Sequence, residues 1–181
     1  MASPLSPPRV REASTNRQPQ CRESPMISRA SVKRLWTLNE TACGETFAVS
    51  ETGFGDMVGQ CDCVLSSASG FLLGIAAGKA VEHFGYMWFQ TRFDSFLFIE
   101  RVVVAHGERR RRLATGMVIE ALQWCRERGI GSVVCLVHDR PPNPAGHAMC
   151  RQLGFQAIEG VMLPSRDIVT MYQRSTAIAT P

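Results

Sequence analysis

Two features of the sequence have the residue types and spacing needed for chemistry. The first is a single carboxylate, Glu100, inside an otherwise apolar run at residues 96–105. Because an isolated carboxylate in a buried strand is costly unless it is paired or belongs to a site, Glu100 is a candidate site residue. A structural ion pair with an arginine of a neighbouring strand is the alternative. Arg101 is not the expected partner, because side chains alternate across a strand.

The second feature is a run of four arginines at residues 109–112, directly before a helical pattern. A helix N-terminus carries partial positive charge, so arginines there indicate that an anion binds nearby. Ala114 and Gly116 are small enough to let a ligand approach the free backbone N–H groups, which is typical of a phosphate-binding turn. A solvated basic turn and a nucleic-acid-binding module remain alternatives.

Three elements must position these residues. Residues 96–105 form a predicted strand, and apolar residues from Leu113 to Cys125 recur at helical spacing before Gly129 and Gly131 end the helix. Residues 132–137 are apolar without alternation, which indicates a strand covered on both faces. Strand, helix and strand therefore predict a right-handed βαβ unit with parallel strands.

The motif Arg111-Arg-Leu-Ala-Thr-Gly116, followed by the segment from Asn143 to Phe155, resembles the acyl-CoA signature of the GNAT superfamily of N-acetyltransferases. The similarity covers residues 61–174 and is greatest to a subgroup of small predicted acetyltransferases. It implies an α/β fold: a mixed, twisted sheet of about seven strands with helices on both faces. It also implies an acetyl-CoA site built from Val102, Val103, Val104, Arg111, Arg112, Leu113, Ala114, Thr115, Gly116 and Asn143.

The same resemblance assigns catalytic roles. Glu100 precedes Arg111 by eleven residues, the separation at which histone-type members carry their general base. Many members carry a tyrosine acid seven residues after the asparagine, and Cys150 occupies that position here. Cys150, His147 one turn earlier, or solvent would then protonate the departing thiolate. Packing is the plainest role for Cys150, and an exposed position is the plainest for His147.

Residues 77–95 form a predicted long connection that is rich in aromatic side chains. It is either a structural lid on the core or a wall of the acceptor site, with Tyr86, Trp88 and Arg92 contacting substrate. The expected acceptor is an amine of a small molecule or peptide. A non-catalytic CoA-binding protein is the competing function, and a nucleic-acid-binding module is a third.

The remaining elements follow the order of the chain. Residues 1–30 are predicted to be a disordered tail, residues 31–175 one acetyltransferase domain, and residues 176–181 a frayed end. Residues 32–38 predict a strand, and the resemblance implies two helices within residues 41–60, which their glycines weaken. Further strands are expected at residues 61–65 and 70–76, which form a hairpin, and at 156–161 and 167–173.

Composition limits the other classes of protein. The chain has 181 residues, 45% of them hydrophobic, and a net charge of +4, which suits one domain with a polyanionic ligand. Seven scattered cysteines predict free thiols in the cytoplasm, and Cys61 and Cys63 are expected on one face of a strand as packing residues rather than as a metal site. No membrane span is predicted, a homodimer remains open, and the first 25 residues are either a targeting segment or the product of a mis-assigned start before Met26.

Overall fold

The computed structural model describes residues 28–41 and 48–177. Most of the predicted tail and the last four residues lie outside the described residues, although Arg29 and Ala30 already belong to a helix. The helices are α1 Arg29–Thr41, α2 Glu51–Gln60, α3 Phe84–Gln90, α4 Leu113–Glu127 and α5 Pro144–Gln152. The strands are β1 Cys63–Ser66, β2 Gly70–Ala76, β3 Leu97–Val104, β4 Ser132–Arg140, β5 Gln156–Met162 and β6 Ile168–Ser175.

The six strands form one mixed sheet in the order β1-β2-β3-β4-β6-β5. Neighbouring strands are antiparallel except β3 and β4, which are parallel and joined through α4, so the predicted βαβ unit is confirmed. The predicted hairpin and the two C-terminal strands are also present. The α/β class is therefore confirmed, with six strands in the described part of the chain rather than about seven.

The predicted strand that is absent from the structure is residues 32–38, which lie within α1. Leu35 and Asn39 are the buried residues of this helix, and their separation by four positions puts them on one helical face. The short apolar stretch around Leu35 fits both the period of a strand and the period of a helix. Packing of α1 against α2 and the sheet stabilises the helix. α2 has an N-cap at Ser50, because the Ser50 side chain accepts a hydrogen bond from the Gly53 N–H.

The sheet has a hydrophobic cluster on each side. On the side that we call the α1–α3 face, aromatic rings dominate, among them Phe54, Phe71, Tyr86, Phe89, Phe96 and Phe98. On the α4–α5 face, aliphatic side chains and thiols dominate, among them Leu72, Leu97, Val118, Leu122, Cys125 and Cys135. Cys61 packs on the first face and Cys63 on the second, so the prediction that they share a face is wrong. Cys61 follows the end of α2 and precedes β1, so strand alternation does not relate the two.

The long connection at residues 77–95 contains α3 rather than loop alone. At the other end of the domain, Thr176 is buried, and its hydroxyl donates a hydrogen bond to the Ile130 carbonyl. The predicted fraying therefore does not begin at residue 176. No helix in the described ranges is long and apolar enough to cross a bilayer. Within those ranges, no group of three or more acidic, histidine or cysteine side chains is arranged to hold a metal ion.

Candidate active site

The centre of the site is the point where β3 and β4 part. Their parallel pairing covers Leu97 with Val133 and Phe98 with Val134. Both strands continue for six more residues, and on its other side β4 stays paired with β6 as far as Arg140. A cleft therefore opens between the C-terminal halves of two parallel strands, the position at which open α/β sheets bind ligands. Glu100 lies two residues beyond the last pair.

A β-bulge at Glu100 sets the direction of the charged side chains. Leu73 of β2 pairs with Arg101, and the next residue, Gly74, pairs with Ile99, so Glu100 is an extra residue in β3. Ile99 and Val102 both pack on the α4–α5 face. The bulge therefore turns Glu100 and Arg101 together toward the α1–α3 face. The prediction that Arg101 points away from Glu100 is wrong, because strict alternation holds only without a bulge.

Glu100 is a buried carboxyl group with one unsatisfied oxygen. Its side chain is 8% exposed, and its Oε2 atom has no hydrogen-bond partner among the described residues. The Nδ1 atom of His83 lies 3.8 Å from Oε2, beyond hydrogen-bond distance. Burial raises the pKa of Glu100 to about 7, although the Arg101 guanidinium acts to lower it. A carboxylate with a pKa near neutrality and a free oxygen is suited to accepting a proton.

Arg101 and Asn39 are two polar residues that the sequence analysis did not include in the site. Arg101 is 9% exposed, and its Nη1 atom donates a 2.8 Å hydrogen bond to Asn39 Oδ1 of α1. This bond links α1 to the strand that carries Glu100. Burial, followed by the charge of Arg101, lowers the pKa of His83, so His83 is neutral at neutral pH. Asn39 follows Leu35 by four positions, which puts the two side chains on one face of a helix. This spacing could have identified Asn39 only if the segment had been predicted as a helix.

The arginine-rich turn leads into α4 without a capping side chain. Arg110 and Arg112 have φ angles of 65° and 60°, and Arg112, at the N-cap, makes no side-chain hydrogen bond to the helix. The first intrahelical bond runs from the Gly116 N–H to the Arg112 carbonyl at 2.9 Å. The N–H groups of Leu113, Ala114 and Thr115 are therefore the ones that a helix start leaves for an outside acceptor. A Cβ atom built on Gly116 would meet nothing within 4 Å, so the surface there is open.

The arginines at residues 110–112 are exposed. Arg111 Nη1 lies 3.0 Å from Glu108 Oε2, and the Arg111 side chain is 69% exposed. Arg109 Nε donates a 3.4 Å bond to the Val104 carbonyl, which ties the turn to the end of β3. Val104 and Val102 are half-buried on the α4–α5 face, whereas Val103 is buried on the α1–α3 face. The turn that leads into α4 is therefore in contact with the end of β3.

Asn143 acts as the predicted N-cap of α5. Its Oδ1 atom accepts a 2.9 Å hydrogen bond from the Gly146 N–H, and Pro144 follows at the first helical position. Gly146 is closely packed, since a Cβ atom there would lie 2.9 Å from Val137 Cγ1. Asn143 therefore fixes the start of α5 against β4, beside the cleft.

The side chains proposed for acid catalysis are held in the interior. Cys150 is 2% exposed, and its Sγ atom lies 3.7 Å from Cys135 Sγ of β4. His147 is half-buried rather than exposed as predicted, because both ring nitrogens are engaged: Nδ1 lies 3.0 Å from the Tyr172 hydroxyl and Nε2 3.1 Å from the His138 carbonyl. Burial raises the pKa of Tyr172. The sequence analysis missed Tyr172, since no local pattern in β6 relates it to α5.

The three predicted acceptor residues lie in or beside α3. Tyr86 is fully buried, and its hydroxyl accepts from the Lys79 N–H and donates to the Ala76 carbonyl, each at 2.9 Å. Its hydrogen bonds therefore serve the fold. Trp88 is mostly buried, and the exposed Arg92 guanidinium stacks on its ring, 4.0 Å from the centroid. Of the three, Arg92 is the residue that presents a charge to solvent.

Comparison with known proteins identifies the family of this chain. The model of the acetyltransferase (GNAT) family matches residues 32–155, more than half of the chain. The search of curated proteins found no matching sequence.

Solved structures with a similar fold include the ribosomal-protein-S18-alanine N-acetyltransferase from Escherichia coli, with a TM-score of 0.59, 13% identity, and 83% and 91% of the two chains covered. Arabidopsis thaliana NAA60 in complex with acetyl-CoA has a TM-score of 0.59 and 12% identity, with 82% and 95% covered. An aminoglycoside 6'-N-acetyltransferase complexed with coenzyme A has a TM-score of 0.61 and 10% identity, with 88% and 98% covered. At these identities the likeness concerns the fold.

Proposed function

Because this chain belongs to the acetyltransferase (GNAT) family, we propose that it transfers an acetyl group from acetyl-CoA directly to a primary amine. The observation that carries the proposal is Glu100, a buried carboxyl group whose pKa is raised to about 7 and whose Oε2 atom is unsatisfied. It lies at the base of the cleft between β3 and β4. No hydrogen bond from the described residues satisfies this oxygen, so the packing of the fold does not explain why a carboxyl group is buried there.

The residues around the cleft fit a thioester of a phosphorylated carrier. The uncapped start of α4 and the exposed arginines before it would hold the pyrophosphate, and the open surface at Gly116 leaves room for it. The backbone of residues 102–104 lies beyond the β3–β4 ladder and would pair with the pantetheine arm as an added strand does. Acetyl-CoA supplies the activated acetyl group when bound. The proposed contacts are Val102, Val103, Val104, Arg111, Arg112, Leu113, Ala114, Thr115, Gly116 and Asn143.

Glu100 would take a proton from the acceptor. A primary amine is mostly an ammonium ion at neutral pH and attacks a carbonyl only after losing a proton. A carboxylate with a pKa near 7 accepts that proton far better than an ordinary glutamate with a pKa of about 4.3. The side chain faces the α1–α3 face, so we place the acceptor on that side, with Trp88 and Arg92 at its edge.

For the departing thiolate we propose protonation by solvent. Cys150, at the position of the family's tyrosine, is buried and in contact with Cys135, and both ring nitrogens of His147 are engaged. The CoA thiol has a pKa in the range of ordinary thiols, so its thiolate is a good leaving group without an acid.

The acceptor belongs to one of two chemical classes, a small-molecule amine or a peptide amine. The similar structures named above include an enzyme for a ribosomal-protein alanine and one for aminoglycosides. We further propose that the protein works in the cytoplasm, because all five described cysteines are free thiols.

The first experiment separates the three candidate functions. Thermal unfolding is followed with acetyl-CoA, with CoA and with a single-stranded oligonucleotide, because a ligand at 100 times its dissociation constant adds about 2.7 kcal/mol of stability. Stabilisation by both CoA compounds and not by the oligonucleotide supports the proposal. The opposite pattern would favour a nucleic-acid-binding module.

The second experiment is a thiol-release assay with acetyl-CoA and a panel of amines. It contains N-terminal peptides, lysine peptides, aminoglycosides and polyamines. Thiol release that depends on one amine class identifies the acceptor. Tight binding of acetyl-CoA without release for any class would favour the non-catalytic CoA-binding protein.

A further inference from the structure

Two buried thiols lie in contact on the α4–α5 face. Cys135 of β4 and Cys150 of α5 are 9% and 2% exposed, and their sulfur atoms are 3.7 Å apart. They are fifteen residues apart in sequence and belong to different elements. A disulfide bond has an S–S length of about 2.05 Å, so the two sulfur atoms need to approach by roughly 1.7 Å.

The two thiols also differ from other buried cysteines of the chain. Burial raises the pKa of Cys61 and of Cys125 to about 12, so these two are thiols at any physiological pH. The hydrogen bond from Cys135 instead lowers the pKa of Cys150, and the same bond together with burial raises that of Cys135. Cys150 is therefore the thiol with the greater thiolate character, and Cys135 is the protonated neighbour that supports it.

The two sulfur atoms can approach through their own side chains. α5 has nine residues, and Cys150 is the one that is buried, whereas residues 146–149 are half-buried. Because Gly146 already packs closely on Val137 of β4, the approach comes from rotation about the Cα–Cβ bonds of Cys135 and Cys150 rather than from movement of the whole helix. The surroundings of the two sulfur atoms are mainly apolar, which limits attack to a small uncharged oxidant.

We propose that Cys135 and Cys150 are a redox modification site, at which a hydroperoxide converts the two thiols into an intramolecular disulfide between β4 and α5. The Cys150 thiolate attacks a peroxide oxygen and the O–O bond breaks, giving a sulfenic acid and hydroxide. The sulfur of Cys135 then attacks that of Cys150, losing its proton as the sulfenic oxygen leaves as water. Overall, two thiols and one hydrogen peroxide give one disulfide and two waters. This inference does not depend on the proposed acetyl transfer.

The test uses the full chain, kept folded and treated with hydrogen peroxide. Excess peroxide is removed, free thiols are alkylated after denaturation, and the protein is analysed by mass spectrometry and peptide mapping. We expect the loss of two hydrogen atoms and a crosslinked peptide joining Cys135 to Cys150, both reversed by a dithiol reductant. Alkylation of both residues after peroxide treatment, or a disulfide from either of them to Cys21 or Cys43, would overturn the proposal.

Variants assign the role of each sulfur. Cys135→Ser should stop the reaction at a sulfenic acid on Cys150, trapped by dimedone, and Cys150→Ser should abolish the crosslink. Cys125→Ser is the matched control, a buried cysteine on the same face that should leave the crosslink unchanged. Circular dichroism checks that each variant is folded, and if one is not, the peptide map of the unaltered chain decides by itself. Dimedone labelling of Cys135 rather than Cys150 would contradict the assignment.

Discussion

The two faces of the sheet bury different chemistry. Among the aromatic rings of the α1–α3 face lie a carboxyl group, a guanidinium group and an amide, from Glu100, Arg101 and Asn39. The buried side chains of the α4–α5 face are mainly aliphatic residues and thiols, and four arginines lie in the turn at residues 109–112. A buried charge has a shifted pKa and suits proton transfer, whereas exposed charges attract an anion with little effect on stability. Changes on the first face should therefore alter turnover and pH dependence, and changes on the second should alter affinity.

The largest effect is expected for Glu100→Gln. The amide keeps the size of the side chain but accepts no proton, so kcat should fall by about 10²–10⁴ while acetyl-CoA affinity changes little. In the unaltered protein, kcat/KM should rise with pH and level off above pH 7, because Glu100 has a pKa of about 7. The rise should vanish in the variant.

Glu159→Gln is the control, because it makes the same change at an exposed position of β5. It should leave both kcat and the pH profile unchanged. Normal turnover by folded Glu100→Gln would remove this residue from the proposed mechanism.

The second effect concerns the anion site. Gly116→Glu should weaken acetyl-CoA binding by about 10²-fold or more, because a carboxylate at the open start of α4 repels a phosphate at close range. The fold should tolerate the change, since a Cβ atom at this exposed position meets nothing within 4 Å. Isothermal titration gives the affinity.

Gly59→Glu is a matched control for this variant. Gly59 is also an exposed helical glycine with open space around it, but it belongs to α2, on the opposite face of the sheet. The Gly59→Glu variant should bind acetyl-CoA as the unaltered protein does. If the two variants bind acetyl-CoA with equal affinity, the pyrophosphate does not bind at the start of α4.

The third effect is on stability, and its sign depends on pH. The pKa of Glu100 is raised from 4.5 to about 7 by folding, so the folded state loses stability as pH rises between these values. At pH 4 the glutamate is protonated in both states, and Glu100→Gln should change the free energy of unfolding little. At pH 8 the buried charge is present, and the variant should be more stable by about 3 kcal/mol.

Denaturant unfolding at the two pH values measures this difference. A structural ion pair with Arg101 makes the opposite prediction, because removal of one partner of a buried pair costs roughly 3–5 kcal/mol. A variant less stable than the unaltered protein at pH 8 would therefore support the ion pair over the proposed role of Glu100 as a general base.

The smallest effects are expected for two similar pairs in which an arginine stacks on a tryptophan ring. Arg92 stacks on Trp88 beside α3, and Arg128 stacks on Trp124 at the end of α4, with distances of 4.0 and 4.4 Å to the ring centroids. Arg92→Ala and Arg128→Ala should each cost about 0.5–1 kcal/mol of stability. Only Arg92→Ala should raise the KM for the acceptor, because only Arg92 lies on the proposed acceptor side. An equal KM for the two variants would leave Arg92 with a structural role alone.

The βαβ unit could be predicted from the sequence because its signals are local. The apolar period of α4, the glycines after it and the unbroken apolar run of β4 each specify their own element. The caps of α5 are equally local, with Asn143 at the N-cap and Gly154, at a φ of 72°, just after the helix. Local charge patterns also identified Glu100, as a lone carboxylate in an apolar strand, and the arginine-rich turn before a helix as candidates.

Other features were decided by tertiary packing. The segment at residues 32–38 is a helix because α1 packs on α2 and the sheet, and its short apolar stretch does not specify a period. Placement of Glu100 and Arg101 on one face depends on a bulge opposite Leu73 and Gly74, which β3 by itself does not encode. The raised pKa of Glu100 comes from its burial, and the contact of Cys135 with Cys150 joins residues of β4 and α5. Such properties arise from burial and from non-local neighbours, so they exist only once the sheet and helices have come together.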